Sequence, residues 1–406
     1  NNEQTTKKHE DIEKIVVQGK RNQAYTEPTL ETKQLLKVAG IDHDPLSSVF
    51  SMPGVVYAGG DDGGEPAVRG SSPDDNAFYI DDMPVGYIFH LFGDSIFNEN
   101  LVRNFSLHPA AFGSQYGDAT GGIFDVQLRD PRNEEITTTV DFSLLKTSAM
   151  VEGAVNEDQS FYFSYRRSLI HLFLPEGEEE DGYTIFKAPV SDDYQGKYQW
   201  LLGDSHKFTV TLAGASDEGG INISEASEAG RADPDSIGDL KLQTQFDSQG
   251  VSWQYFGDEQ KIMQVSLART VESQKELFGQ GQFIDIDEES LNLRMIYQVN
   301  WLDQHKMILG ADFSRSDATY SYDLIPYFCT DHDSDCTETK GDRIQDKDVL
   351  VNRDIGFYVN DIWTINSDFE LELGLRAERN DYTEQAFVHP RIALNWFWTD
   401  QLTIKT

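Results

Sequence analysis

Leu291-Asn292-Leu293-Arg294-Met295-Ile296-Tyr297-Gln298-Val299-Asn300-Trp301 is the stretch whose reading decides the fold. Leu291, Leu293, Met295, Tyr297, Val299 and Trp301 take alternate places, and Asn292, Arg294, Gln298 and Asn300 fill all but one of the places between. Successive side chains of a strand point to opposite faces, so this is a strand with one apolar and one polar face. The same period appears at Ile136, Thr138, Val140, Phe142 and Leu144, set against Thr137, Thr139, Asp141 and Ser143. It returns at Phe369, Leu371, Leu373 and Leu375, set against Glu370, Glu372, Gly374 and Arg376. About twelve such strands follow residue 132, and 402–406 begins another.

The connections alternate between tight polar turns and longer loops. The tight ones centre on Asn156-Glu157-Asp158, Gly203-Asp204-Ser205, Gly257-Asp258-Glu259, Asp303-Gln304, Asn366-Ser367 and Thr399-Asp400. Three of the others are long, at 171–193, 217–239 and 322–349. An up-and-down barrel in an outer membrane has this asymmetry, with short turns on one side and long loops on the other. Trp200, Trp253, Trp301, Trp363, Trp396 and Trp398 all fall just before a tight turn. On a barrel they form a belt at one membrane interface. Alternation alone also fits a soluble sandwich, but that fold divides its indoles between core and loops.

Ahead of the strands lies a Gly-punctuated stretch, 52–126. It carries Met52-Pro53-Gly54-Val55, Val68-Arg69-Gly70, Tyr79-Ile80-Asp81-Asp82-Met83-Pro84-Val85 and Gln115-Tyr116-Gly117-Asp118-Ala119-Thr120-Gly121-Gly122-Ile123-Phe124-Asp125-Val126. Short apolar runs between turn-forming residues mark a small mixed domain of strands and loops. Before it, Glu13-Lys14-Ile15-Val16-Val17-Gln18-Gly19 is a β-prone run isolated in polar sequence. Such a run either opens the next domain or pairs with an edge supplied by another protein. Residues 31–39 are a modest helix candidate.

The net charge of −37 over 406 residues argues against nucleic acid, whose phosphates require Lys and Arg. Mean hydropathy is −0.50, and no apolar run reaches the length of a membrane-spanning helix. The three long loops hold 22 acids against five bases. Their carboxylates form a solvated rim or bridge a divalent ion such as calcium. Cys329 and Cys336 share one polar segment, which suggests a small loop-closing disulfide and an oxidising compartment. A metal site needs more soft ligands than this pair and His332 offer. Enzymatic signatures are missing: there is no catalytic Ser/His/Asp pattern, no HExxH, no phosphate loop and no Cys/His cluster. Gly59-Gly60-Asp61-Asp62-Gly63-Gly64 lacks the Lys and following helix of a phosphate cradle.

A Gly-rich domain followed by such strands resembles the TonB-dependent receptors of Gram-negative bacteria. The likeness rests on Pro53-Gly54-Val55, Arg69-Gly70, Ile80-Asp81-Asp82-Met83-Pro84-Val85 and Tyr116-Gly117 with Ala119-Thr120-Gly121-Gly122, in the order of that family's plug. It implies a mainly β protein of the Gram-negative outer membrane, with a small α+β plug inside an antiparallel transmembrane β-barrel. Residues 1–22 would be a periplasmic extension, 23–132 the plug, and 133–406 the first twelve or so strands of a barrel of about 22 strands. The barrel is then incomplete in this chain, and the expectation is either a fragment or a complementary chain supplying the other strands. Glu13, Ile15, Val16 and Val17 look like the strand that TonB, driven by ExbB and ExbD, grips. Two departures stand out: His108-Pro109 where the family has Gly-Pro, and Asp81-Asp82 where it has Asp-Gly.

The implied function is TonB-dependent uptake of a scarce metal complex, cofactor or saccharide, and not catalysis. Expected ligand contacts at the outer face are Tyr57, Asp61 and Asp62 on one apical loop and Tyr87, His90 and Phe92 on another. For His90, packing against Phe89 and Phe92 is the alternative. Arg69 and Arg103 are expected to hold the plug through lumen-facing carboxylates such as Glu370 and Glu372. A surface lipoprotein is a further conceivable partner beside lipid. The competing reading is a barrel that serves as a structural partner in a surface assembly without transporting.

Overall fold

The computed structural model describes residues 29–31, 44, 46–52, 54–57, 66–91, 94–109, 112–117, 119–257, 261–302, 304–326, 340–399 and 402–405. The first part of the chain forms β1 (Thr29–Glu31), β2 (Val55–Tyr57), β3 (Pro66–Val68), β4 (Ala77–Ile80), β5 (Met83–Val85), β6 (Val102–His108) and β7 (Ile123–Leu128). Five of them make one sheet in the order β1-β6-β7-β4-β5, with β4 parallel to β7, and β2 and β3 pair separately. Buried on this sheet are Phe78, Ile80, Phe105, Leu107, Phe124 and Val126, packed with Ile88, Ile96 and Phe97. β6 and β7 are covered on both faces, which is why their apolar residues run together instead of alternating.

The turn between β4 and β5 places Asp81 and Asp82 at φ of 50° and 66°. Two successive left-handed residues make the tight hairpin for which Asp-Gly is the usual choice. Asp82 takes the glycine's place and uses its carboxylate to accept a hydrogen bond from Gln264 Nε2 of the wall at 3.0 Å.

The wall consists of β8 (Thr137–Phe142), β9 (Lys146–Asn156), β10 (Gln159–Ser168), β11 (Glu179–Glu180), β12 (Tyr183–Leu202), β13 (His206–Ile223), β14 (Gly238–Phe256), β15 (Ile262–Phe278), β16 (Gln282–Trp301), β17 (His305–Leu324), β18 (Ile344–Thr364), β19 (Phe369–Asn380), β20 (Ala386–Thr399) and β21 (Leu402–Lys405). They form one antiparallel sheet running from β8 to β21 in chain order, with the two-residue β11 attached to β12. The sheet is not closed, since β8 and β21 are its edges. All six residues of β8 are exposed.

On β16, Leu291, Met295, Tyr297 and Trp301 are exposed while Arg294 is 8% exposed, so the apolar face points outward. On β19 Leu373 and Leu375 face out, and Glu370, Glu372 and Arg376 are buried within. The register carries this orientation from strand to strand. Trp200 stands opposite Phe208, Phe208 opposite Trp253, Trp301 opposite His305, His305 opposite Trp363, and Phe369 opposite Trp396. With Trp398 tilted against Trp396, centroids 4.5 Å apart, all six indoles lie on the outward face at the short-turn end.

The strands run further than the alternation does. β12 begins at Tyr183 and β13 ends at Ile223, so Asp193 and Asp217, read above as loop acids, belong to the wall. Past the apolar band both faces of a strand meet water. The hydrogen-bond ladder continues there while the apolar pattern disappears.

Candidate functional site

The seam between the two units is built from polar side chains on the inward face of the wall, which reach into the Gly-rich domain. His90 lies in the stretch after β5. It is 3% exposed, and both of its ring nitrogens meet carboxylates of the wall. Nδ1 is 3.0 Å from both oxygens of Asp217 on β13, and Nε2 is 3.3 Å from Asp193 on β12. Arg166 on β10 donates Nε to Asp193 at 2.7 Å and its other arm to the Ser95 carbonyl. An imidazolium and a guanidinium thus balance two carboxylates, all buried. Burial alone would depress the imidazole's pKa, but the hydrogen bonds to Asp193 and Asp217 outweigh it and lift the value to about 9. His90 is therefore protonated at neutral pH and donates to both acids. Beside it, Gln195 accepts from Asn98 N at 3.1 Å and donates to the Ile96 carbonyl at 2.6 Å.

Nearer the short turns, Lys197 pairs with Asp81 at 2.7 Å and donates to the Leu128 carbonyl at 2.9 Å. Lys207 meets Asp130 at 2.7 Å, and Arg129 is bidentate to Glu152 of β9. Across the lumen, three arginines grip main-chain carbonyls of 112–117. Arg391 reaches Phe112 at 2.9 Å, Tyr116 at 3.1 Å and also Gly113; Arg376 reaches Ser114; Arg294 reaches Gln115. Gly117 leaves room for this approach, since a Cβ there would sit 2.6 Å from the Arg376 guanidinium. Between the β4–β5 turn and strands β14 to β19 lies a cavity of about 590 Å³.

The sequence-predicted residues divide as follows. His90, expected as a ligand contact, is an internal anchor to the wall. Tyr87 is buried edge-on against Phe246 of β14, with centroids 4.9 Å apart. Tyr57 ends β2. Asp61, Asp62, Phe92, Cys329 and Cys336 lie outside the described residues, as do Glu13, Ile15, Val16 and Val17. Among the described residues Arg69 and Arg103 are not seen to meet Glu370 or Glu372. Arg69 is exposed at a left-handed turn, and Arg103 donates to Gln127 at 3.2 Å. Glu370 accepts from Asn395 at 3.1 Å and Glu372 accepts from Asn360. The positive charges that hold the plug come mostly from the wall, where a polar residue on the inward parity was the only signal. Among the described residues no group of three or more His, Cys, Asp or Glu is placed to hold a metal ion.

No family model matches the sequence, and no curated protein matches it. Solved structures do. The ferric enterobactin receptor PfeA of Pseudomonas aeruginosa, as a double mutant, superposes with a TM-score of 0.64 at 13% identity, over 94% of this chain and 61% of that one. The outer membrane transporter YddB of Escherichia coli gives 0.62 at 13% identity, over 92% and 59%. FpvAI, in its complex with pyocin S2, gives 0.67 at 14% identity, over 95% and 57%. The chain spans about three fifths of the length of these structures. It has the plug-and-barrel fold of the TonB-dependent outer-membrane receptors.

Proposed function

We propose that the chain is the plug and part of the wall of a receptor in the Gram-negative outer membrane that takes up a scarce ligand with energy delivered through TonB. One observation carries this reading. The plug lies against the inward face of the wall, and buried charged hydrogen bonds run through the seam beside a smaller set of apolar contacts such as Tyr87 on Phe246. Such bonds re-form in water, so a pulled plug can leave and return, whereas a greasy seam would not release. A metal complex, a cofactor and a saccharide are all compatible with the seam itself. The names of the solved relatives favour a metal chelate.

The β-prone run at 13–19 is where TonB would add its own edge, since main-chain pairing tolerates varied side chains. Proline removes a strand donor. Val16→Pro is expected to abolish capture of the detergent-solubilised protein by the periplasmic domain of TonB, while leaving the protein's folded mobility on gels unchanged. Capture that survives both Val16→Pro and Ile15→Pro contradicts the reading.

A further inference from the structure

The cavity between the β4–β5 turn and strands β14 to β19 has a chemistry of its own, and we propose that it seats a polar organic cation. This rests on the uptake reading and narrows its ligand. Six carboxylates line the cavity: Asp81, Asp82, Glu272, Asp312, Asp354 and Glu378. Three of them are neutralised: Asp81 by Lys197, Asp312 by Arg294 and Arg376, and Glu378 by Arg376. Among the described residues no ion pair holds Asp82, Glu272 or Asp354. Asp82 accepts from the Gln264 amide, and Asp354 from the amides of Asn352 and Asn380 at 2.8 and 2.6 Å. Arg379, the one further cation at the cavity, is exposed at its rim on the outward parity of β19.

Glu272 makes the case sharper. It stands directly opposite Glu288 in the β15–β16 register, both on the lumen face. Like charges directly opposite in a ladder are destabilising. Gly86 of the plug leaves room for the carboxylate, since a Cβ there would lie 2.7 Å from it. Glu288 is met by the Ser316 hydroxyl at 2.5 Å, not by a cation. A cross-strand pair of acids in a confined space is a cost that a bound cation removes.

On the floor Arg294, nine-tenths buried and lining the cavity, turns its Nε to Asp312 Oδ1 3.4 Å away, so these two charges answer each other and Asp82, Glu272 and Asp354 are left for a ligand. Higher on β17, outside the cavity's own lining, Tyr320 and Tyr322 stack with centroids 6.0 Å apart, and the Tyr320 hydroxyl meets Asp346 at 3.1 Å. Aromatic faces beside carboxylates attract organic cations. The missing three-ligand cluster among the described residues speaks against a bare metal ion.

The test is a cysteine reporter, Ser314→Cys, in cells carrying the full-length protein. Rates of modification by trimethylammonioethyl and sulfonatoethyl methanethiosulfonate are measured, each divided by its rate with a free thiol. At low salt the cationic reagent is expected to be favoured by about tenfold or more, as for a cleft walled by one sign of charge. The preference should shrink to within about twofold in about 1 M salt, where the screening length is about 3 Å. It should shrink likewise in a Glu272→Gln, Asp354→Asn double variant. A low-salt ratio near one overturns the proposal, as does a preference untouched by salt. If the double variant does not assemble, the salt arm decides alone. Labelling needs no TonB, so its failure and a failure of the capture experiment are separate results.

Discussion

At the scale of single residues, His90 carries the most testable chemistry. Its imidazolium sits between Asp193 and Asp217, with Arg166 completing a neutral group. Its folded pKa of about 9 lies above the ordinary 6.5. The bound proton therefore stabilises the seated plug fully below about pH 6.5, and that contribution is lost as pH rises through about 9. Proteolysis of the plug is expected to quicken between about pH 7 and pH 10, and a His90→Leu variant should show no such step over that window. Leu at this position leaves two acids buried beside one guanidinium. By analogy with broken buried pairs this costs about 3–5 kcal/mol, readable as a lower melting temperature. His90 was visible in the sequence as a residue to watch, but its partners were not. They lie 103 and 127 positions downstream, and only the strand register brings them to one place.

At the scale of elements, the plug is fastened differently on its two sides. Toward β9, β10, β12 and β13 it is held by buried ion pairs. Toward β19 and β20 it is held by guanidiniums on main-chain carbonyls, with Gly117 allowing the approach. Gly117→Ala would force Arg376 aside and with it the pairs to Asp312 and Glu378. About 1–3 kcal/mol of destabilisation is expected, with faster amide exchange confined to 112–117. The β4–β5 hairpin offers a second case. Asp82→Gly relieves a left-handed strain of about 1 kcal/mol but removes the hydrogen bond to Gln264, a charged bond worth somewhat more. Faster exchange at Val85 is the expected net result, and slower exchange would show that the clasp is weak.

How much of this was legible follows from the same physics. The period of two gave the wall and its orientation, because lipid demands an apolar outward face. The indoles marked one interface for the same reason. The plug's turns were readable from Gly54, Gly70 and the Asp81-Asp82 pair, all at positive φ. The seam was not readable, because a charge on the inward parity looks the same whether it meets water or a partner. Arg294, Arg376 and Arg391 were polar places in a pattern; Arg69, expected to hold the plug, is exposed, and Arg103 meets Gln127. The upper strands were also hidden, since a ladder in water needs no alternation.

At the scale of the whole molecule, the sheet has two free edges. β8 exposes Val140 and Phe142 by 70% and 74%, and among the described residues its outer backbone groups have no neighbour in the ladder. In lipid such groups cost several kcal/mol each. Further strands are expected to close the cylinder against β8 and β21. Val140→Pro should then prevent formation of the heat-modifiable folded band on gels, whereas a wall that works as an open sheet would tolerate it.

The central claim is that lipid covers the apolar side of this wall, with the Gly-rich domain within. Trp301, 56% exposed at the short-turn end, reports on it most directly. Its emission can be isolated as the difference between the protein and a Trp301→Phe variant, both reconstituted with brominated phospholipids. The account predicts strong quenching by bromines near the headgroups and weaker quenching by bromines deep in the chains. Emission indifferent to bromine at every depth would contradict it.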